Sequence, residues 1–233
     1  MVTIIEIMGR HAGWLAGSAA LASLTGCGPD LVYLPEVDFD MDRFIADVKA
    51  IYEKTGKCMV AVSEGIHYAD GRFVSEAETS ATDGFGHAQL GGLAVMLADV
   101  IKKQTGAKVR GIELSLLQRC GSHLASKTDV EEAWRAGSAA VEAAVSGVTD
   151  KMVAFQCTRK DGKYDCQISL EPLDIVANFE KKVPLEWIND AGNGVEQPFI
   201  DYVLPLIQGE LDTPKENALP RFAKLKKVLT TSL

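Results

Sequence analysis

The sequence has little of what marks several large protein classes. Its 233 residues contain no apolar run close to the roughly 18–20 residues that a membrane helix needs. The apolar start, Val2-Thr3-Ile4-Ile5, is short and has no basic segment before it, unlike a secretory signal. Positive charge is scarce: 24 Lys and Arg stand against 32 Asp and Glu, for a net charge of −8. That balance argues against a nucleic-acid partner, which favours a basic surface, so any anion site must be a local arginine cluster. The five cysteines, Cys27, Cys58, Cys120, Cys157 and Cys166, form no C-x-x-C pair and no framework, as expected of reduced thiols in the cytoplasm. His11, His67, His87 and His123 lack the spacing of metal ligands, so no metal site is read among them. The G-x-x-x-x-G-K-[ST], G-x-S-x-G and G-x-G-x-x-G signatures are absent, and there is no internal repeat or low-complexity segment.

What is present is an ordinary globular composition, 47% apolar and 24% charged, arranged as alternating strand and helix patterns. Val2 to Ile7 reads as a strand, and Gly13 to Ser23 as a buried small-residue helix ended by Gly26, Gly28 and Pro29. Leu31 to Leu34 is a short buried strand. Asp40 can cap a helix whose stripe is Met41, Phe44, Ile45, Val48, Ile51 and Tyr52, closed by Gly56. Cys58 to Val62 is a strand running into Ser63-Glu64-Gly65. After a polar excursion, a helix is expected from near His87 through Leu90, Leu93, Ala94, Leu97, Val100 and Ile101, followed by a strand from Lys108 to Leu114. This alternation predicts an α/β fold with parallel strands and right-handed crossovers.

The later half is different. Thr128-Asp129-Val130-Glu131 has capping-box spacing before a helix with Val130, Ala133, Trp134, Gly137, Val141, Ala144 and Val145 on its expected buried face. A hairpin follows, turning at Asp161-Gly162. If Lys160 pairs with Lys163, Cys157 faces Cys166, Phe155 faces Ile168 and Val153 faces Leu170. Those cysteines are expected to pack as small apolar groups, although a disulfide between them is geometrically allowed. From Lys181 the chain reads as an extension packed over the core, with a stripe at Phe199, Ile200, Val203, Leu204 and Ile207.

Chemistry concentrates at three strand ends. Arg10 follows Gly9 in a strand–turn–helix passage, the place where α/β proteins put an anion binder. Glu64 ends another strand, where a carboxylate can accept hydrogen bonds from sugar hydroxyls. Arg110 and Arg119 bracket the strand and turn after it, and two planar guanidinium forks can hold a dianionic phosphate. Taken singly, Arg10 and Glu64 read more readily as ordinary surface residues, and Arg110 and Arg119 equally so.

In order and spacing, Met8-Gly9-Arg10, Glu64, Arg110 and Gln118-Arg119 resemble the sugar-phosphate elements of the phosphofructokinase family. Gly84-Phe85-Gly86-His87, Pro184-Leu185-Glu186-Trp187-Ile188-Asn189 and Pro205-Leu206-Ile207-Gln208-Gly209-Glu210 are similar to its bacterial diphosphate-using branch. The resemblance implies a three-layer α/β/α fold with a mainly parallel sheet, its amino-terminal part missing, plus a C-terminal hairpin and helical extension. It divides the chain into a sugar-phosphate-binding domain (1–117), a returning segment of a donor-side domain (118–180) and an extension (181–233). By the same resemblance Met8 contacts the sugar, Gly9 gives backbone access, and Arg10 lies near the reacting end as candidate transition-state support. Glu64 binds sugar hydroxyls. Arg119, with Gln118 beside it, holds the 6-phosphate of fructose 6-phosphate, and Arg110 reaches that phosphate across a subunit interface of a homo-oligomer.

Two departures stand out: Leu116 occupies a position where relatives carry histidine or tyrosine, and Cys120-Gly121 replaces a Gly-Gly. The Gly-Gly-Asp and Thr-x-Asp-Asn-Asp motifs of the donor site and the catalytic base are also absent. The expectation is therefore a fructose 6-phosphate-binding part of a 6-phosphofructokinase using diphosphate, or alternatively ATP. No catalytic base lies within the chain on this reading, and the ligands of the implied Mg²⁺ lie outside it. A non-catalytic sugar-phosphate-binding or regulatory subunit is the reading from another class. No membrane or nucleic-acid partner is expected, and the location is expected to be cytoplasmic.

Overall fold

A computed structural model describes residues 1–75, 92–160 and 162–227. Four strands form one parallel sheet: β1 (Val2–Ile7), β2 (Leu31–Tyr33), β3 (Cys58–Ser63) and β4 (Val109–Glu113), in the order β2-β3-β1-β4. The register sets Val2 opposite both Cys58 and Val109, so the strands reach their carboxyl ends together. Central strands of such a sheet are covered on both faces and are therefore apolar on both. Val2, Ile4, Val60 and Val62 pack against helices α2 (Met41–Thr55) and α3 (Leu93–Thr105). Ile7, Val32 and Ala61 face a second core formed with α1 (Trp14–Ser18), Val183, Ile188 and helix α7 (Gln197–Val203). The expected α/β/α layering with an added C-terminal extension is what forms.

Local signals explain most boundaries. Asp40 caps α2 by accepting from the Arg43 amide at 2.8 Å, and Gly56, at φ 72°, ends it as glycine readily does. The helix expected over Gly13 to Ser23 is only five residues of α-helix, continued as a 3₁₀ helix over Ala19–Thr25. Its tight seating follows from Gly17, where a Cβ would stand 2.5 Å from the Phe199 ring. The helix expected from near His87 is seen as α3 from Leu93 onward; His87 and Leu90 lie outside the described residues.

After β4 come α4 (Ser115–Cys120), α5 (Lys127–Val145), the hairpin β5 (Lys151–Lys160) and β6 (Lys163–Pro172), and the short helix α6 (Leu173–Val176). The hairpin register matches the expectation pair for pair, including Cys157 opposite Cys166 and Lys160 opposite Lys163. All five cysteines are free thiols; burial raises the Cys166 thiol well above its ordinary range, as suits a small apolar group.

Two expectations about α5 need correction. Its cap is Ser126, whose Oγ accepts from the Asp129 amide at 3.1 Å, whereas Thr128 lies inside the helix and donates to the Gln208 carbonyl at 3.0 Å. Nor is its apolar stripe buried: no residue of α5 is, and Trp134 is 76% exposed. Nothing among the described residues packs over that face.

Candidate functional site

The site is built where β1, β3 and the turn after β4 end side by side. The chain leaves β1 through Met8 and Gly9 and must turn sharply under the end of β3. Gly9, at φ 150°, leaves no room for a side chain: a Cβ would meet the Ala12 carbonyl at 2.8 Å and Ser63 Oγ at 3.1 Å. Gly65 is required for the complementary reason, since a Cβ there would run into the backbone carbonyl of Arg10.

Hydrogen bonds then join the expected residues. The Gly9 amide donates to Glu64 Oε1 at 3.2 Å, and Ser63 Oγ donates to the Gly9 carbonyl. The Met8 amide donates to Gln118 Oε1 at 3.0 Å, bringing α4 to the same edge across 110 residues of sequence. Arg119, next in α4, is exposed and lines a cleft of about 750 Å³ with Leu114, Gln118, His123 and Asp129. Leu116 is exposed beside it. Met8, Gly9, Arg10, Glu64, Gln118 and Arg119 thus share one edge.

Arg110 does not join them. Its Cα is in register with Thr3, at the opposite end of the sheet. Thr3 and Met8 are five residue steps apart along β1 and its exit, about 16 Å at the usual rise per residue.

Beneath this edge is a carboxylate that pattern reading passed over. Glu6 is 3% exposed, in the middle of an apolar strand, and its Oε2 accepts from the Ala94 amide at 2.9 Å, closing the first turn of α3. Burial raises its pKa above the usual carboxylate range; nearby Glu113 and Glu64 raise it further, against the lowering effect of the Ala94 and Leu93 amides. The available signal was a lone charge inside Val2–Ile7. Glu36 is a second such residue. Its Oε1 accepts from both the Gly13 amide, at 2.8 Å, and the Val183 amide, at 2.9 Å. No local pattern announces a contact that spans 147 residues.

Such an edge, with a glycine-hinged arginine, a carboxylate bound to the turn and a second arginine on the facing helix, is suited to holding a phosphorylated polyol. Among the described residues, no group of three or more His, Cys, Asp or Glu is placed to hold a metal ion, and no helix is long and apolar enough to cross a membrane.

The phosphofructokinase family profile (PFK) matches residues 1–144. The pyrophosphate–fructose 6-phosphate 1-phosphotransferase of Halomonas elongata is 45% identical over 227 residues, covering 97% of this chain and 54% of that protein. The enzyme of the same name from Methylococcus capsulatus is 44% identical over 228 residues, with the same coverage. The crystal structure of pyrophosphate-dependent phosphofructokinase from Nitrosospira multiformis superposes with a TM-score of 0.84 at 36% identity, over 100% of this chain and 54% of that one. The chain therefore spans about half the length of the relatives it matches. Within that half, the motif order, the parallel sheet and the shared edge agree with one another, and the chain belongs to the phosphofructokinase family.

Proposed function

We propose that this chain is the fructose 6-phosphate-binding part of a cytoplasmic 6-phosphofructokinase that uses diphosphate to phosphorylate the C1 hydroxyl. The observation that carries the reading is the junction of Met8-Gly9-Arg10 with Glu64 and Gln118 through two backbone amides at one sheet edge. Arg119 supplies the charge for the 6-phosphate, Glu64 the acceptor for sugar hydroxyls, and Met8 the contact to the sugar. Arg10 lies toward the reacting end and supports charge that develops in transfer. Diphosphate is favoured as donor because the relatives that cover nearly all of this chain carry that donor in their names.

Phosphoryl transfer is mainly positioning and charge stabilisation by a phosphate cradle, a metal ion and a base. This chain supplies the acceptor side. On this reading the ligands of the implied Mg²⁺ lie outside this chain. Exposed Arg110, remote from the edge of its own chain, fits a role in the site of a second subunit. In the same reading, residues 1–117 are the sugar-phosphate domain, 118–180 return to a donor-side domain, and 181–233 are an extension. The uncovered face of α5 supports the middle assignment.

Calorimetric titration of the chain with fructose 6-phosphate tests this. Binding is expected, and Arg119→Ala should weaken it by about 1.5–3 kcal/mol, the scale of a charge-assisted hydrogen bond. Assayed alone with diphosphate or ATP, the chain should show no turnover. Unchanged binding by Arg119→Ala removes that assignment, and turnover by the pure chain removes the claim that the base lies elsewhere.

A further inference from the structure

The loop that carries Arg10 is held from two sides, and only one of them is the sheet edge. On that side are Ser63, Glu64 and Gly65. On the other lies a short segment from the far end of the chain, residues 180–183. Glu180 Oε1 stands 2.6 Å from His11 Nδ1. The Lys181 carbonyl accepts from Trp14 Nε1 at 2.7 Å. Glu36 completes the fastening, because its Oε1 accepts from the Gly13 amide and the Val183 amide together. The segment is itself anchored: the Val183 side chain is 2% exposed within the second core, and Lys181 Nζ donates to the Tyr202 hydroxyl of α7 at 2.9 Å.

We propose that residues 180–183 are a strap that orders the Arg10 loop for sugar-phosphate binding, with His11, Glu36 and Glu180 as positioning residues. The proposal rests on the reading that Arg10 belongs to a fructose 6-phosphate site. Gly9 and Gly13 bracket the loop, and glycine loses more backbone freedom on ordering than any other residue. Its sheet-side bonds, from the Gly9 amide to Glu64 and from Ser63 Oγ to the Gly9 carbonyl, fix the loop at Gly9. His11 to Trp14 are held by the strap and Glu36, together with the His11 ring stacked on Phe73 and Trp14 packed among Trp187, Phe199 and Tyr202. A loop ordered before the ligand arrives spares binding that entropy.

The His11–Glu180 contact is open to solvent. Its side chains are 43% and 50% exposed, and a contact so accessible to solvent adds little to fold stability. Removing it should therefore change binding far more than folding. That separates a positioning role from a structural one.

The test uses the whole 233-residue chain. Fructose 6-phosphate is titrated into wild type, His11→Ala and His11→Asn, with thermal unfolding measured on each. Asparagine places a donor where Nδ1 stands, so it serves as the rescue. His11→Ala should bind about five-fold or more weakly with its unfolding midpoint nearly unchanged, and His11→Asn should return to within about two-fold of wild type, because lost pre-organisation is the quantity being read. Amide hydrogen exchange gives a second readout. His11→Ala should speed exchange at His11 and Ala12, and Glu36→Ala should speed it at Gly13 and Val183 together.

His11→Ala binding like wild type, or equal loss in Ala and Asn, overturns the proposal. So does independent exchange at Gly13 and Val183. If the wild-type chain fails to bind fructose 6-phosphate, the functional reading is what fails. The strap as an ordering device is then decided by exchange alone: unchanged exchange at His11 and Ala12 in His11→Ala ends it.

Discussion

Glu6 shows how much a single buried charge can carry. It sits in a row of the sheet between Val62 and Glu113, one side-chain step below the Met8 and Glu64 edge. A leucine there would extend the first core. The carboxylate instead satisfies an amide that the first turn of α3 cannot bond internally, which a buried helix start needs. The cost is a carboxyl whose pKa is raised, first by burial and then by Glu113 and Glu64. In the native state Glu6 therefore holds its proton to a higher pH than in the unfolded chain. The unfolded state binds fewer protons over that interval, so stability should fall as pH rises from the ordinary carboxylate range into the raised one. Glu6→Gln keeps an oxygen to accept from Ala94 and cannot ionise, so its stability curve should lose this decline. Urea unfolding at a series of pH values measures the difference. A variant curve parallel to wild type through the acid range would remove Glu6 as its source.

At the level of elements, the start of α5 shows what a pattern can and cannot decide. Two overlapping signals compete: Ser126 with Asp129, and Thr128 with Glu131, each a hydroxyl with an acid three residues on. Tertiary contact decides between them. The Lys127 amide donates to the Gly209 carbonyl at 3.0 Å and the Thr128 amide to Gln208 at 3.2 Å, while Ser126 adopts the extended backbone of a cap. Ser126→Ala removes the cap and the bond from Ser126 Oγ to the Leu206 carbonyl, and should cost about 1–2 kcal/mol in chemical denaturation; Thr128→Ala should cost less. The reverse ranking would restore Thr128 as the cap. The same division runs through the whole fold. The strand–helix alternation and the hairpin register were legible, because side-chain period and a two-residue turn fix them locally. At the site, the glycine-hinged arginine and strand-end glutamate were legible as a pattern, with roles that came from family resemblance. Glu6, Glu36 and the bond from His11 to Glu180 were not, since each depends on a partner at least 23 residues away in sequence. The shortening of the first helix was equally hidden, because its small residues suit α and 3₁₀ geometry alike.

Across the molecule, apolar surface is unevenly settled. Two cores bury both faces of the sheet, yet Trp134, Val141 and Val145 of α5 stand exposed along one stripe, and Phe155 is exposed on the neighbouring hairpin. Their 3.6-residue spacing is that of a helix that packs against something, and continuous apolar surface of this kind marks an interaction face or an aggregation liability. The relatives are nearly twice as long as this chain, which leaves ample polypeptide to cover such a face in them. In the chain alone the face has two outcomes open to it: water, or another copy. Burying aromatic and aliphatic side chains at about 25 cal/mol per Å² favours the second wherever concentration allows. Sedimentation velocity should therefore show association of the 233-residue chain on the order of 10–100 μM. Trp134→Lys combined with Val141→Lys should abolish the association made through α5, leaving fructose 6-phosphate binding at the sheet edge intact. A wild-type chain that stays monomeric through that range would mean that the exposed stripe is tolerated as it stands, and that its helical spacing answers to α5's own stability.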